Sequence, residues 1–184
     1  MYQVNTDKTP IPSKASLQRQ GHELSDTNYQ LQVLEHGKDG AFELVPFQQK
    51  LEEIGLYPLK PTGAQIFQMN LGKMCNQVCK HCHVDAGPDR KEIMTRQTMQ
   101  QCLEVLQQHP QLTTVDLTGG APEMNPHFRW LVSELRKLNR HIMVRCNLTI
   151  ILANKKYHDL PSFYKAHGVE VVSSLPFYTK DRTD

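Results

Sequence analysis

The 184-residue chain has no run of about 18 apolar residues, the length a helix needs to span a bilayer, which argues against a membrane span. Its start, Met1 to Pro12, lacks a charged stretch followed by an apolar core, so no secretory signal is expected. Excess charge is also missing. The formal net charge is +2, and the scattered lysines and arginines read as a solvated surface rather than a nucleic-acid or acidic-membrane face. Apolar residues make up only 39%, and a polar N-terminal stretch accounts for much of the deficit. The five cysteines are an odd number, with three crowded into one loop. That is poor geometry for a disulfide framework and suits reduced, metal-binding thiols, so a cytoplasmic location is expected. No internal repeat is present. The length fits one domain with a real core.

Residues 1–45 are rich in Gln, Lys, Asn, Thr and Ser, and such a stretch buries too little to offset its ordering entropy. A disordered segment is expected there, and a core over 46–184. Phe47, Leu51 and Ile54 recur at helical spacing up to Gly55, which predicts a short helix. Ile66 to Leu71 reads as a first strand, followed by the cysteine loop to Pro88. Thr95 is placed to cap a helix with Met99, Cys102, Leu103 and Leu106 on one face, ended by His109-Pro110. Thr114 to Thr118 reads as a second strand and Gly119 to Glu123 as a turn. Asn125-Pro126 reads as a helix start, with Phe128, Leu131, Val132, Leu135 and Leu138 on the apolar face. Ile142 to Leu148 is a third strand. A helix around Pro161 presents Leu160, Phe163 and Tyr164, with Gly168 as its cap, before a fourth strand from Val169 to Leu175.

Four alternations of strand and helix predict an α/β fold with a parallel sheet, either doubly wound or a βα barrel. Gln68/Asn70, Asp116/Thr118 and Arg145/Asn147 favour the barrel. Each pair is polar at alternate positions near a strand's C-terminal end, where it would line a barrel mouth. Four βα units cannot close a barrel, and the last strand would present an unpaired edge. The expectation is therefore a partial barrel truncated after its fourth strand.

The chemistry concentrates in Cys75, Cys79 and Cys82, spaced Cys-x3-Cys-x2-Cys. Three close thiolates hold a soft metal or an iron–sulfur cluster, and a four-iron cluster held by three cysteines leaves one iron open to a small molecule. The competing reading is structural zinc, with His81 or His83 as a fourth ligand, although zinc modules normally draw on two separated knuckles. The glycine-rich turn one βα unit later favours the cluster, because exposed backbone at a strand end approaches a zwitterionic ligand closely.

These three cysteines resemble the cluster motif of the radical SAM (S-adenosylmethionine) superfamily, with His81 where a flat residue usually stands. Gly119-Gly120-Ala121-Pro122-Glu123 resembles the superfamily's second-strand motif, which contacts the amino group of the SAM methionine. The resemblance implies a 4Fe-4S cluster whose open iron is chelated by SAM, and reductive cleavage to a 5′-deoxyadenosyl radical. The stretch Met74-Cys75-Asn76-Gln77-Val78-Cys79-Lys80-His81-Cys82-His83-Val84-Asp85-Ala86-Gly87-Pro88 is similar to the arsenosugar-biosynthesis radical SAM family. So are Leu117 to Pro126, Arg145-Cys146-Asn147-Leu148-Thr149 and Ser173-Ser174-Leu175-Pro176. That family implies a small-molecule substrate, a methylated trivalent arsenic, and a reductant such as flavodoxin or ferredoxin. Its members run on past a fourth strand to complete a partial barrel and a C-terminal domain. Arg145 and Asn147 are expected to contact the cofactor or substrate, or else to form an internal hydrogen-bonded pair. Glu123 is a cofactor contact or a first-turn acid at a helix start. His83 and Asp85 either tune the cluster or shape the loop. Cys102 reads as a small core residue, Cys146 as facing the covering helices, and His127 as surface. A zinc-stabilised binding module and an inactive fragment are the competing functions.

Overall fold

Strands β1 (Ile66–Asn70), β2 (Thr114–Thr118), β3 (His141–Arg145) and β4 (Val169–Val172) lie side by side in sequence order, and every neighbouring pair is parallel. The computed structural model describes residue 16 and residues 18–36, 45–79 and 82–174. His81, Leu175, Pro176 and most of the 1–45 segment lie outside the described residues. The helices are α1 (Thr27–His36), α2 (Phe47–Glu53), α3 (Arg96–Gln108), α4 (Phe128–Lys137), α5 (Thr149–Ala153) and α6 (Leu160–His167). No described helix is long and apolar enough to cross a membrane.

Alternation along the strands divides the sheet into two unlike faces. Met69, Val115, Leu117, Ile142 and Val144 are buried on one face, together with Met99, Leu103 and Leu106 of α3 and Leu131, Val132 and Leu135 of α4. Gln68, Asn70 and Arg145 stand exposed on the other. Strand order that never reverses, joined by crossovers of one hand, sets successive helices on the same side. A doubly wound sheet reverses its order and is covered on both faces. Among the described residues the architecture is an open, four-stranded parallel α/β sheet with its helices covering one side.

Several boundaries follow local chemistry. The Thr95 hydroxyl accepts from Thr98 N at 3.2 Å and starts α3, and His109 closes it ahead of Pro110. Gly168 ends α6 in the left-handed conformation, φ 57°. Other boundaries depart from the sequence reading. Asn125 does not cap α4, which begins at Phe128 with His127 in the capping position. β3 ends at Arg145, not Leu148, because Asn147 Oδ1 accepts from Ile150 N at 3.0 Å and opens the short α5. The residue between, Leu148, takes φ 59° to make the corner.

Within residues 1–45, expected to be mostly disordered, the described residues include α1. Asp26 Oδ1 accepts from Tyr29 N at 2.8 Å, a local cap, yet none of α1 is buried. In α2 only Leu51 is buried, while Phe47 and Ile54 stay exposed. What ties the start of the chain down is Ser16, fully buried, whose hydroxyl donates to Asp89 Oδ2 at 2.8 Å. Gln18 N donates to Asp85 Oδ2 at 3.1 Å beside it.

The Ser16 contact holds the Asp89 carboxyl below its ordinary value, and a lowered carboxyl contributes stability that is lost as pH falls through the folded value. Protection factors of the Gln18 to Gly21 amides, exchange relative to the unfolded chain at the same pH, are expected to fall on acidification below about pH 4, while β2 amides stay protected. In Ser16→Ala the same amides exchange fast already at neutral pH.

Candidate functional site

The cysteine loop leaves β1 and is closed on itself at its base. Lys73 N donates to Glu92 O at 2.8 Å, Gly87 N to Lys73 O at 3.1 Å, Cys75 N to Gly87 O at 3.1 Å and Met94 N to Leu71 O at 3.0 Å. Tight turns follow inside it, with Cys82 N on Cys79 O and Asp85 N on Cys82 O, each at 3.1 Å. Asp85 takes φ 49° and accepts from Arg90 at 2.7 Å, so its side chain braces the loop. His83 is exposed.

Among the described residues none of the three thiols forms a disulfide; Cys75 is buried and Cys79 and Cys82 are half-buried. The Cys75 and Cys82 sulfurs accept hydrogen bonds. Cys75 Sγ takes Gln77 N at 3.4 Å and Asn147 Nδ2 at 3.5 Å, and Cys82 Sγ takes Ala86 N at 3.3 Å. Burial pushes the Cys75 thiol up, and Cys82 adds to this, while the Gln77 N–H and the Asn147 amide pull it down. Among the described residues no three His, Cys, Asp or Glu side chains converge where a single metal ion would sit. A four-iron cluster makes a different demand, since each thiolate holds its own iron and the ligands stand further apart than those of one ion. Three thiols in one loop, with N–H donors aimed at two of them, are a donor set whose chemistry fits such a cluster.

The glycine-rich turn packs directly on this loop. Gly120 N donates to Gly72 O and Ala121 N to Met74 O, both at 2.9 Å, and Leu71 N donates to Thr118 O at 2.8 Å. A Cβ on Gly119 would stand 2.6 Å from Gly72 O, and one on Gly120 2.4 Å from Met74 O. Gly119 also has φ 139°, which side chains rarely adopt. The glycines are thus demanded by close approach of two loops, a requirement separate from any ligand. Asn125 reinforces the junction, its amide donating to Leu71 O at 3.0 Å and Met94 O at 2.9 Å. Its asparagine–proline context reads locally as a cap, and no spacing signal reveals that its amide reaches the base of another loop.

Glu123 stands in the first turn of a short 3-10 helix, Pro122–Met124, as an acid at a helix start. It is buried under the helices, where the Tyr164 hydroxyl donates to its Oε1 at 2.5 Å and its Oε2 has no hydrogen-bond partner. The Cys146 thiol beside it is pushed up to about 12, by burial first and Glu123 second. Burial likewise pushes the Tyr164 hydroxyl up. Ala121 and Pro122 are buried against the same core. Cys146 faces the covering helices, Cys102 is half-buried on α3, and His127 is half-buried rather than at the surface.

On the uncovered face Gln68 lies opposite Asp116 and donates to it at 3.0 Å. Arg145 grips the same buried carboxylate through Nε and a terminal nitrogen at 2.8–3.1 Å. The internal pair is therefore Arg145 with Asp116, not with Asn147. Asn147 turns to the cysteine loop instead, donating to Asn76 Oδ1 at 2.9 Å as well as to Cys75.

Two substitutions check this geometry. Gly120→Ala drives a methyl into the Met74 carbonyl and is expected to cost about 1–3 kcal/mol in urea unfolding, with faster amide exchange at Ala121. Tyr164→Phe strips Glu123 of the phenol that donates to it and is expected to cost about 1–3 kcal/mol. Adding Glu123→Leu to Tyr164→Phe should recover most of that loss, because the buried carboxylate is then gone as well. Set against known proteins, the chain matches no family model and no curated protein.

Proposed function

We propose that the chain is a radical SAM iron–sulfur protein, built as one wall of a partial βα barrel. In this reading Cys75, Cys79 and Cys82 hold a 4Fe-4S cluster, and the edge formed by Gly119 to Pro122 borders the open iron. The observation that carries it is the pair of bonds from Gly120 N and Ala121 N to the Gly72 and Met74 carbonyls. They join a three-thiol loop to a glycine-rich turn at the C-terminal edge of a parallel sheet, the edge where such folds gather their sites. When bound, the cluster and SAM together supply reductive cleavage of the C5′–S bond, the difficult part of the chemistry. The chain's own residues do the rest. Burial shields Cys75 from water, backbone N–H groups steady two of the sulfurs, and Arg145 places a half-exposed guanidinium on the open face. Similarity to the arsenosugar-biosynthesis family adds the substrate, a methylated trivalent arsenic taking the adenosyl group. It also adds a flavodoxin- or ferredoxin-like reductant in the cytoplasm.

Anaerobic reconstitution followed by iron and sulfide analysis tests the cluster. The expected result is about four irons and four sulfides per chain, lost in Cys75→Ala. Bound zinc with near-zero sulfide would overturn the reading. Incubating the reduced, loaded protein with SAM is expected to release 5′-deoxyadenosine.

A further inference from the structure

We propose that Asn147 is a positioning residue whose side-chain amide donates a hydrogen bond to the Cys75 sulfur, raising the reduction potential of the cluster that sulfur holds. This deepens the cluster reading and rests on it.

The orientation of the Asn147 amide follows from its neighbours. Ile150 N donates to Oδ1 at 3.0 Å and the Thr149 hydroxyl to the same oxygen at 3.1 Å. A backbone N–H is a donor only, so the oxygen must face α5 and the NH2 group must face the cysteine loop. There it meets Asn76 Oδ1 at 2.9 Å and Cys75 Sγ at 3.5 Å. Asn76 completes a ring, since its Nδ2 donates to Thr149 Oγ1 at 2.8 Å. Three side chains therefore lock one another, each donating to the next, and none can flip without breaking the others. The backbone is committed to the same arrangement, with Leu148 held at φ 59° between Asn147 and the helix.

The consequence is electrostatic. An N–H aimed at a ligating sulfur stabilises negative charge there, so it favours the reduced cluster over the oxidised one. Cys82 takes its donor, Ala86 N, from within its own loop. Cys75 takes one from a side chain 72 positions away, at the end of the third strand unit. Position and potential of this ligand thus depend on how β3 and α5 are folded, which the cysteine spacing alone does not determine.

Asn147→Asp separates this role from a structural one. The aspartate keeps the oxygen that accepts from Ile150 N and Thr149, but removes the donor and sets a negative charge beside the sulfur. Thr149→Val leaves Asn147 in place and breaks the ring. Reconstituted parent and variants would be titrated with reductant and followed by electron paramagnetic resonance, with iron and sulfide counted in each. At equal cluster content Asn147→Asp is expected to have a clearly more negative potential and Thr149→Val a smaller shift of the same sign. The metal-free variants should melt within a few degrees of the parent. Unchanged potentials in both variants at full cluster content would overturn the role of Asn147 while leaving the cluster reading standing. A parent chain that binds no sulfide would overturn both. Should Asn147→Asp lose the cluster, Thr149→Val alone decides. Nuclear magnetic resonance of the metal-free chain gives a second readout, in which Cys75→Ala is expected to move the Asn147 side-chain amide protons. Signals that stay put would overturn the hydrogen bond itself.

Discussion

The contact on which the rest of the site depends is between backbones. Gly119 and Gly120 let the end of β2 close to within hydrogen-bonding distance of Gly72 and Met74, so two loops that leave neighbouring strands become one surface. The parallel pairing of β1 with β2 carries both chains to the same edge, and the missing side chains let them touch there. Asn125 then secures both ends of the cysteine loop, since Leu71 O and Met94 O flank it and both accept from its amide. The described part of the cysteine loop holds short turns and two isolated bridges, Gly72 with Ile93 and Met74 with Gly87, so its shape comes chiefly from this border and from its own closing bonds. The three thiols inherit their placement from that frame.

Two buried acids on opposite faces of the sheet show different ways of bearing desolvation. Asp116 is met by a guanidinium and a side-chain amide, so the donors required by a buried carboxylate are present. Glu123 is met by a phenol and retains an oxygen with no partner. A buried group left half satisfied costs more than its existing bond returns. The arrangement couples the turn that borders the thiols to α6, because Glu123 lies three residues past Gly120 and Tyr164 sits in the centre of that helix. Phe128, Phe163 and Tyr164 pack against one another at tilted and edge-on angles.

Features decided within a few residues were legible in the sequence. β2 runs from Thr114 to Thr118 as its pattern implies, Thr95 caps α3, and Gly168 ends α6, since each depends on local geometry alone. The apolar faces of α3, α4 and α6 were legible for the same reason. Features decided by distant partners were not. Asn125 reads as a cap and acts as a clamp. Glu123 reads as part of a turn, and its carboxylate reaches Tyr164 on α6. Asn147 reads as strand and makes a corner, because its two neighbours, Thr149 and Asn76, lie in different elements. Helix α2 forms as its spacing implies, yet Phe47 and, just past its end, Ile54 stay exposed among the described residues. Periodicity reports which residues share a face, and tertiary contact decides whether that face is covered.

A parallel sheet ordinarily buries both of its faces, and here one face carries polar residues on every strand. That face is not simply a core surface awaiting a cover. Gln68, Asp116 and Arg145 are bonded across β1, β2 and β3, and His141 meets Glu170 at 2.7 Å across β3 and β4. The polar groups satisfy one another from strand to strand. The layer ends at Arg145, and two residues on, Asn147 takes up the pattern with bonds to Asn76 and Cys75. A polar track therefore runs from the middle of the sheet to the rim where the thiols stand. Side chains on that track hold the strands in register and carry charge and hydrogen-bond donors to the edge where the thiols stand.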